Sequence, residues 1–191
     1  MMKMMKSETL WQGCVQQVLF RELLEAFARP GSVRDLNDSL AGGTAMRAVL
    51  ATLMDGECSL ADPHHLIAAE DWPLLQARRS NPETARFVMV NGKKAPNFTP
   101  ALGRLESPEF GATLLIAVEN LGRGTQSISL AGPGIEGTGH LQFDELHPDW
   151  LNQRVEWTSA FPLGVDLLLI DTSRIVAIPR TTQVKLTTGV R

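Results

Sequence analysis

The fold of this chain is decided by two apolar runs near its C-terminus, FPLGVDLLLI at positions 161–170 and IVAIPRTT at 175–182. The polar residues DTSR join them, which predicts a buried β-hairpin. Periodicity alone leaves helix and strand open for residues 165–170, but the short length of this run and its turn-rich flanks favour a strand. Pro179 ends the second strand, because proline cannot donate a hydrogen bond to a neighbouring strand.

More strands are predicted upstream of this hairpin. GATLLIAV at 111–118 is typical of a central strand, and the alternating TQSISL at 125–130 is typical of a half-buried one. Residues 85–90 predict a further strand, whereas 91–108 indicate a loop or an edge excursion. The Gly- and Pro-rich segment 131–139 indicates a turn region inside the domain.

The N-terminal part of the chain is helical in pattern. Apolar residues recur at helical spacing from Thr9 to Arg29, and Pro30 with Gly31 ends this long helix. Shorter helices are predicted to begin at Thr44 and Asp71 as caps, the latter over residues 72–79.

Helices therefore dominate early and strands late. This distribution predicts a single α/β domain with a mixed β-sheet flanked by helices. The sheet is expected to come mainly from the second half of the chain, with the long first helix packed against it.

The composition is that of a soluble globular protein. The chain has 191 residues, 43% hydrophobic and 20% charged. This predicts one domain over residues 7–188, preceded by a disordered N-terminal extension at 1–6. A net charge of −3 does not indicate the excess of Lys and Arg that binds nucleic-acid phosphates, so nucleic-acid binding is disfavoured. No apolar run approaches the ~20 residues of a membrane span and no signal-peptide core is present, which predicts a cytoplasmic protein without membrane contact.

The cysteine and histidine patterns do not indicate a metal or redox centre. Cys14 and Cys58 are too far apart for a Cys-x-x-Cys motif and are predicted to be buried small hydrophobes. The histidines lack the spacing of metal ligands, so solvated or capping roles are predicted for them. The set comprises His64, His65, His140 and His147.

The sequence features that could indicate cofactor binding or an unusual carboxylate also have structural explanations. GPGIEG at 132–137 matches G-x-G-x-x-G, but Thr138 and Gly139 continue a run that disfavours the helix of a dinucleotide site, so a tight turn is favoured. None of the five lysines lies in a context that favours a pyridoxal phosphate Schiff base. Asp166 interrupts an apolar run, and we expect it to accept backbone hydrogen bonds at a strand start.

The candidate contacts for an anion or a partner are two arginines next to the ends of predicted elements, together with the glycine and the two threonines that lie beside them in the sequence. Guanidinium groups, hydroxyls and free backbone N–H groups suit phosphate oxygens. A solvated arginine is the more common alternative. No catalytic residue and no metal ligand is predicted. The candidate set is Arg29, Gly31, Arg180, Thr181 and Thr182.

Five ordered segments resemble one known family, the H subunit of the bacterial carbon-phosphorus lyase core complex. They are FRELLEAFARPG at 20–31, GATLLI at 111–116, LAGPGI at 130–135, FPLGVD at 161–166 and AIPRTT at 177–182. The resemblance runs from about residue 20 to 182, although residues 57–105 contribute little to it.

This resemblance implies a cytoplasmic component of phosphonate catabolism that forms homodimers and assembles with the G, I and J subunits. It implies a fold related to pyridoxal-phosphate-dependent transferases, without that cofactor. In the family's pathway an alkylphosphonate displaces adenine from ATP to give ribose 1-alkylphosphonate 5-triphosphate. That chemistry is ascribed to the I subunit, so no catalytic position is transferred to this chain.

Three hypotheses follow for the function. The leading one is an assisting subunit of this phosphonate-processing transferase. The second is an independent enzyme that binds a phosphorylated ligand through Arg29 and Arg180 near the glycine turn. The third is a homodimeric scaffold without chemistry of its own, in which tryptophans either anchor the interface or fill the core. These tryptophans are Trp11, Trp72, Trp150 and Trp157.

Overall fold

The computed structural model describes residues 8–186, so the predicted extension at 1–6 lies outside the described residues. Its α-helices span Gly13–Ala28 (α1), Ala45–Leu53 (α2), Trp72–Leu75 (α3) and Asp149–Trp157 (α4). Its strands are Arg34–Asp35 (β1), Ser59–Ala61 (β2), Arg78–Arg79 (β3), Phe87–Asn91 (β4), Leu102–Arg104 (β5), Ser107–Gly111 (β6), Thr113–Ala117 (β7), Gln126–Ala131 (β8), Gly139–Phe143 (β9), Asp166–Ile170 (β10), Arg174–Ile178 (β11) and Gln183–Leu186 (β12).

A seven-stranded mixed sheet forms the centre of the fold, in the order β1-β11-β10-β7-β4-β2-β3. The five strands from β10 to β3 in this order run parallel, whereas β11 is antiparallel to both of its neighbours. The parallel strands β4, β7 and β10 are almost entirely apolar, because both of their faces are covered.

Two apolar layers cover the sheet. On one face α1 and α2 pack against Met89, Leu115 and Leu168. On the other face a three-stranded sheet, β12-β8-β9, and helix α4 enclose Leu114 and Leu167 with their neighbours. Alternate residues of each central strand therefore belong to different cores, and the result is a single-domain mixed α/β structure.

The C-terminal hairpin is confirmed. Strands β10 and β11 pair antiparallel, with Leu167 opposite Ile178, and β11 ends directly before Pro179. The predicted central strand is also confirmed, since β7 lies between β4 and β10. Helix α1 occupies most of the predicted range and packs against β11.

Helix α2 confirms the predicted cap, because the Thr44 hydroxyl accepts the backbone N–H of Arg47 at 3.3 Å. The third predicted helix, over 72–79, was wrong beyond Leu75. Gln76 adopts a left-handed backbone conformation, with φ of 55°, which ends the helix. The Asp71 carboxylate makes no cap and instead pairs with Arg47 at 2.7 Å.

The expected origin of the strands holds in part. Eight of the twelve strands described come from the second half of the chain, but β1 to β4 come from the first half and supply four of the seven strands of the central sheet. Arg34–Asp35 and Arg78–Arg79 are two-residue strands of charged side chains, which carry no periodic signal. The cysteine prediction also fails, since Cys14 is exposed on α1 and Cys58 is half-buried.

The tryptophans divide between core and surface. Trp150 and Trp157 of α4 are buried, and the Trp150 indole N–H donates to the Lys94 carbonyl at 2.8 Å. Trp11 and Trp72 are partly exposed. Among residues 8–186, no helix is both long and apolar enough to cross a lipid bilayer.

Candidate functional site

Two backbone segments that flank predicted contact residues meet at the glycine turn between β8 and β9. A Cβ atom at Gly134 would clash with the Ala28 carbonyl, and one at Gly132 would lie 3.1 Å from the Thr181 carbonyl. The segments that carry Arg29 and Thr181 therefore meet at this turn. Strand β9 follows the turn, in place of the helix that a dinucleotide site requires.

The side chains of this predicted set do not share one site. Arg29 is exposed and pairs with Glu25 of its own helix at 3.5 Å. Gly31 donates its backbone N–H to the Ala177 carbonyl at 3.0 Å. Thr181 is exposed and Thr182 is buried. Their contact with an anion or a partner stays a prediction.

Arg180 lies where the parallel strands begin, which we call the amino edge of the sheet. Its guanidinium clamps Asp166, the first residue of β10, with Nη2 to Oδ2 at 2.7 Å and Nε to Oδ1 at 3.3 Å. Its Nη1 donates to the carbonyls of Pro108 and Pro162. A Cβ atom at Gly111 would lie 2.9 Å from this Nη1, so a glycine makes room for the guanidinium.

Asp166 itself confirms part of the sequence prediction. It accepts the backbone N–H of Arg180 at 2.8 Å, as expected for a carboxylate at a strand start. The ion pair with the Arg180 side chain was not predicted. Together these bonds tie the start of β10 and the end of β11 to strand β6 and to the loop before β10.

A second arginine at the amino edge, Arg154 of α4, is only 3% exposed. Its Nη2 donates to the carbonyls of Pro179 and Thr182, at 2.6 and 3.0 Å. Burial lowers the pKa of Arg154 to about 10, while the charge of Asp166 opposes this shift. Its Nε and the Thr182 hydroxyl are buried without a hydrogen-bond partner in the described part of the chain.

The third arginine at this edge is Arg86, which directly precedes β4 and is half-buried. Its Nη1 donates to the Gly111 carbonyl, next to the Arg180 guanidinium. Burial lowers the pKa of Arg86, and the positive charge of Arg180 lowers it further. Arg86, Arg154, Arg180 and Asp166 are called the arginine cluster below.

The opposite end of the parallel strands, the carboxyl edge, holds a groove of about 470 Å³. One of its lining residues is Asp144, which accepts the N–H and hydroxyl of Thr125 and the amide of Asn120, each at 2.7 Å. These bonds, led by the Thr125 N–H, lower the pKa of Asp144. The other lining residues are Lys93, Glu119, Gln126, Glu145, Leu146 and His147.

A smaller cavity of about 400 Å³ lies at the carboxyl ends of β2 and β3. The Arg79 guanidinium sits 4.0 Å from the centre of the Trp72 ring, and Asp62, His65 and Ser80 also line this cavity. It belongs to residues 57–105, which contributed little to the family resemblance.

Two histidines have backbone-capping roles, as predicted. His64 Nδ1 accepts the N–H of Asn91 at 2.9 Å, and His147 Nδ1 accepts the N–H of Asp149 at 3.3 Å. Burial lowers the pKa of His64, as does the charge of Lys94. Residues 8–186 include no group of three or more His, Cys, Asp or Glu side chains placed to hold a metal ion.

Comparison with known families gives the chain its relatives. Residues 10–185 match the family of the bacterial phosphonate metabolism protein PhnH. The chain belongs to the PhnH family. This confirms the family resemblance seen in the five ordered segments. The match also covers residues 57–105, in which none of those segments lies.

Two curated relatives match over most of their length. HtxG of Stutzerimonas stutzeri, described as a candidate C-P lyase subunit protein, is 42% identical over 177 residues, which cover 93% of this chain and 89% of HtxG. The alpha-D-ribose 1-methylphosphonate 5-triphosphate synthase subunit PhnH of Rhizobium meliloti is 31% identical over 180 residues. These residues cover 88% of this chain and 90% of the relative.

Sequence reasoning missed two members of the arginine cluster. Arg86 lies within the strand predicted over 85–90, directly before the observed β4, and Arg154 lies in a helix that was not predicted, so neither was marked by a motif. One usable signal existed. A carboxylate inside an apolar run, such as Asp166, requires a cationic or hydrogen-bonding partner, and Arg180 directly follows the strand predicted to pair with it.

Proposed function

We propose that this protein is a cytoplasmic subunit of a carbon-phosphorus lyase complex. In this role it supports the formation of alpha-D-ribose 1-alkylphosphonate 5-triphosphate from ATP and an alkylphosphonate, with release of adenine. The observation that carries the proposal is the similarity to the Rhizobium meliloti synthase subunit along 90% of that protein.

The arrangement of polar groups supports an assisting role. Asp166 is held by Arg180, and Asp144 is held by Thr125 and Asn120, so both carboxylates position loops. A general acid or base needs access to substrate and a proton to exchange. Carboxylates engaged by two or more internal donors are better suited to stabilising the fold.

Exposed apolar side chains support an assembled state. Phe110 and Phe161, next to residues that contact Arg180, are 63% and 67% exposed, and Leu105 is 71% exposed. Phe20 and Leu24 are exposed one turn apart on α1. Large exposed apolar groups are enriched at protein interfaces. Accordingly, the proposal includes self-association as a homodimer and assembly with the G, I and J subunits.

The relation of the fold to pyridoxal-phosphate-dependent transferases, which the resemblance implies, is also part of this proposal. The mostly parallel sheet covered on both faces is typical of α/β proteins in general, the class to which those transferases belong. No step of the proposed function uses the cofactor.

The test is co-expression of the tagged chain with the G, I and J subunits of the same host, followed by affinity purification and native mass spectrometry. A stoichiometric complex is the expected result. Phe161→Ser probes the amino edge, and Leu74→Ser, on the exposed side of α3, is its matched control. A clean homodimer without partners would overturn the subunit assignment.

A further inference from the structure

The smaller cavity lies where two parallel strands end, at the carboxyl edge of the sheet. Asp62 directly follows β2 and Ser80 directly follows β3, and both residues line this space of about 400 Å³. Small-molecule sites in proteins have volumes in this range, and in open parallel sheets they lie at the carboxyl ends of the strands. The size and the position of the cavity therefore both suit a small ligand.

The walls of the cavity are apolar and already packed. Leu60 and Ile67 are buried and belong to the apolar layer between the sheet and helices α1 and α2. Trp72 of α3 packs against the same layer. The apolar part of a ligand would leave water here without ordering these side chains, which favours binding.

The loop between β2 and α3, which forms one side of the cavity, is held by its own hydrogen bonds. The Asp62 carboxylate accepts the backbone N–H groups of Leu66 and Ile67, each at 2.9 Å. At the end of the loop, Asp71 pairs with Arg47 of α2 at 2.7 Å. Among the described residues that line the cavity, Asp62 is the one carboxylate, and both of its oxygens accept from the loop backbone.

Arg79 is fixed beside the cavity by an aromatic ring. Its guanidinium carbon lies 4.0 Å from the centre of the Trp72 ring. Within residues 8–186 its side chain makes no ion pair and no hydrogen bond, whereas the neighbouring Arg78 donates to the Glu57 carbonyl. Because water solvates exposed donors, missing partners alone do not indicate a ligand. The contact with the indole does, since a guanidinium that is already held in place loses less entropy when it binds an anion.

The polar groups of the cavity match a ligand with one negative charge. His65 is exposed and lines the cavity, and the Ser80 hydroxyl bonds to that of Thr84 at 3.0 Å. No lysine and no second arginine occurs among the described residues that line the cavity. Phosphate groups are commonly held by several cations or by a helix N-terminus, whereas one guanidinium pairs with one carboxylate.

We propose that this cavity binds a small organic monocarboxylate. The carboxylate of the ligand accepts two N–H groups of Arg79, since a guanidinium and a carboxylate form paired, charge-assisted hydrogen bonds. The apolar part of the ligand contacts Trp72 and Ile67. This site is separate from the subunit assignment, and no step of the proposed function uses it.

The test is titration of the purified chain with benzoate, followed by calorimetry and by the indole N–H NMR signal of Trp72. We expect saturable binding with a Kd of about 1 mM or lower, and a shift of the Trp72 signal. Benzamide has nearly the same shape without the charge, and acetate has the charge without the ring. Each should bind at least about tenfold more weakly than benzoate.

Two neighbouring arginines provide the variant and its matched control. Arg79→Gln removes the cation and should weaken benzoate binding at least about tenfold. Arg78→Gln changes the other exposed residue of β3, whose side chain donates to the Glu57 carbonyl, and should leave the Kd within about twofold. If Arg79→Gln does not fold, Arg79→Lys keeps the charge but loses the paired geometry, and binding should still weaken several-fold.

Absence of saturable benzoate binding to the wild-type chain, or equal affinity in Arg79→Gln, would overturn the inference. The contact between Arg79 and Trp72 would then only stabilise the turn between α3 and β3. Inorganic phosphate that displaces benzoate with a lower Kd would overturn the choice of a monocarboxylate. None of these results bears on the subunit assignment, which the co-expression experiment tests by itself.

Discussion

At the amino edge of the sheet, one carboxylate pairs with Arg180 and lies near two further guanidinium groups, whereas the groove at the carboxyl edge is lined by three carboxylates and one lysine. The two edges also differ in exposure. The Arg180 and Asp166 side chains are 13% and 20% exposed, but those of the Lys93–Glu145 pair are 56% and 29% exposed. Ion pairs are stronger where less water screens them. Equal numbers of contacts at the two edges therefore need not contribute equally to stability.

The largest expected effect comes from removing the carboxylate of the arginine cluster. Asp166→Ala removes the carboxylate that pairs with the Arg180 guanidinium and accepts its backbone N–H, next to two further arginines. We expect a loss of about 3 kcal/mol in the free energy of unfolding, since a largely buried charge then lacks its partner. Urea denaturation followed by circular dichroism measures it.

Asp166→Asn is the matched control, because it keeps an oxygen acceptor and removes only the charge. It should cost clearly less than Asp166→Ala. If Asp166→Ala lowers the free energy of unfolding by less than about 1 kcal/mol, the ion pair at the amino edge contributes no more than an ordinary surface pair. The proposed difference in stability between the two edges would then be wrong.

A smaller, pH-dependent effect is expected at the carboxyl edge. The pKa of Asp144 is lower in the folded chain than its ordinary value of 3.8, so its contribution to stability is present above pH 3.8 and is lost as the pH falls through the folded pKa. Wild-type protein should therefore exceed Asp144→Asn in stability at pH 7, and the gap should narrow below pH 4. Urea titrations at pH 7 and pH 3 measure the gap.

A gap that is constant with pH would assign the effect of Asp144→Asn to lost hydrogen-bond geometry instead of lost charge. Asp144→Asn leaves one side-chain oxygen, which can still accept from Thr125, whereas the bond from the Asn120 amide to the second oxygen is lost. That result would mean that hydrogen bonds, and not the charge of Asp144, stabilise the carboxyl edge.

The smallest effect is expected for Lys93→Ala. The Lys93 ammonium is exposed and its partner Glu145 is partly exposed, and ion pairs that water reaches contribute about 0.5 kcal/mol or less. Thermal unfolding at low and high salt should show almost no change in Tm. A loss as large as that of Asp166→Ala would contradict the distinction between the two edges.

The central part of the fold could be predicted from sequence because its strands are short apolar runs with clear ends. Strands β7, β10 and β11 follow this rule. Helix α4 could not be found in the same way, since its sequence DWLNQRVEW is rich in polar residues and Arg154 lies on its buried side. Its burial depends on Trp150 and on partners distant in sequence.

The candidate site was less predictable than the fold. Arg180 was singled out for its position after a strand, but its commitment to Asp166 depends on the pairing of β10 with β11. Arg86 joins the cluster only because β4 lies beside β7 in the sheet. Charge clusters of this kind are set by tertiary neighbours, and local patterns do not reveal them.

The short outer strands of the seven-stranded sheet limit how other chains can attach to it. Both outer strands, β1 and β3, have only two residues, and all of these are charged. Another chain would find almost no free backbone there with which to extend the sheet. We therefore expect a partner to bind at β1 or β3 through side-chain contacts. Fibre formation by strand addition at these two outer strands is disfavoured.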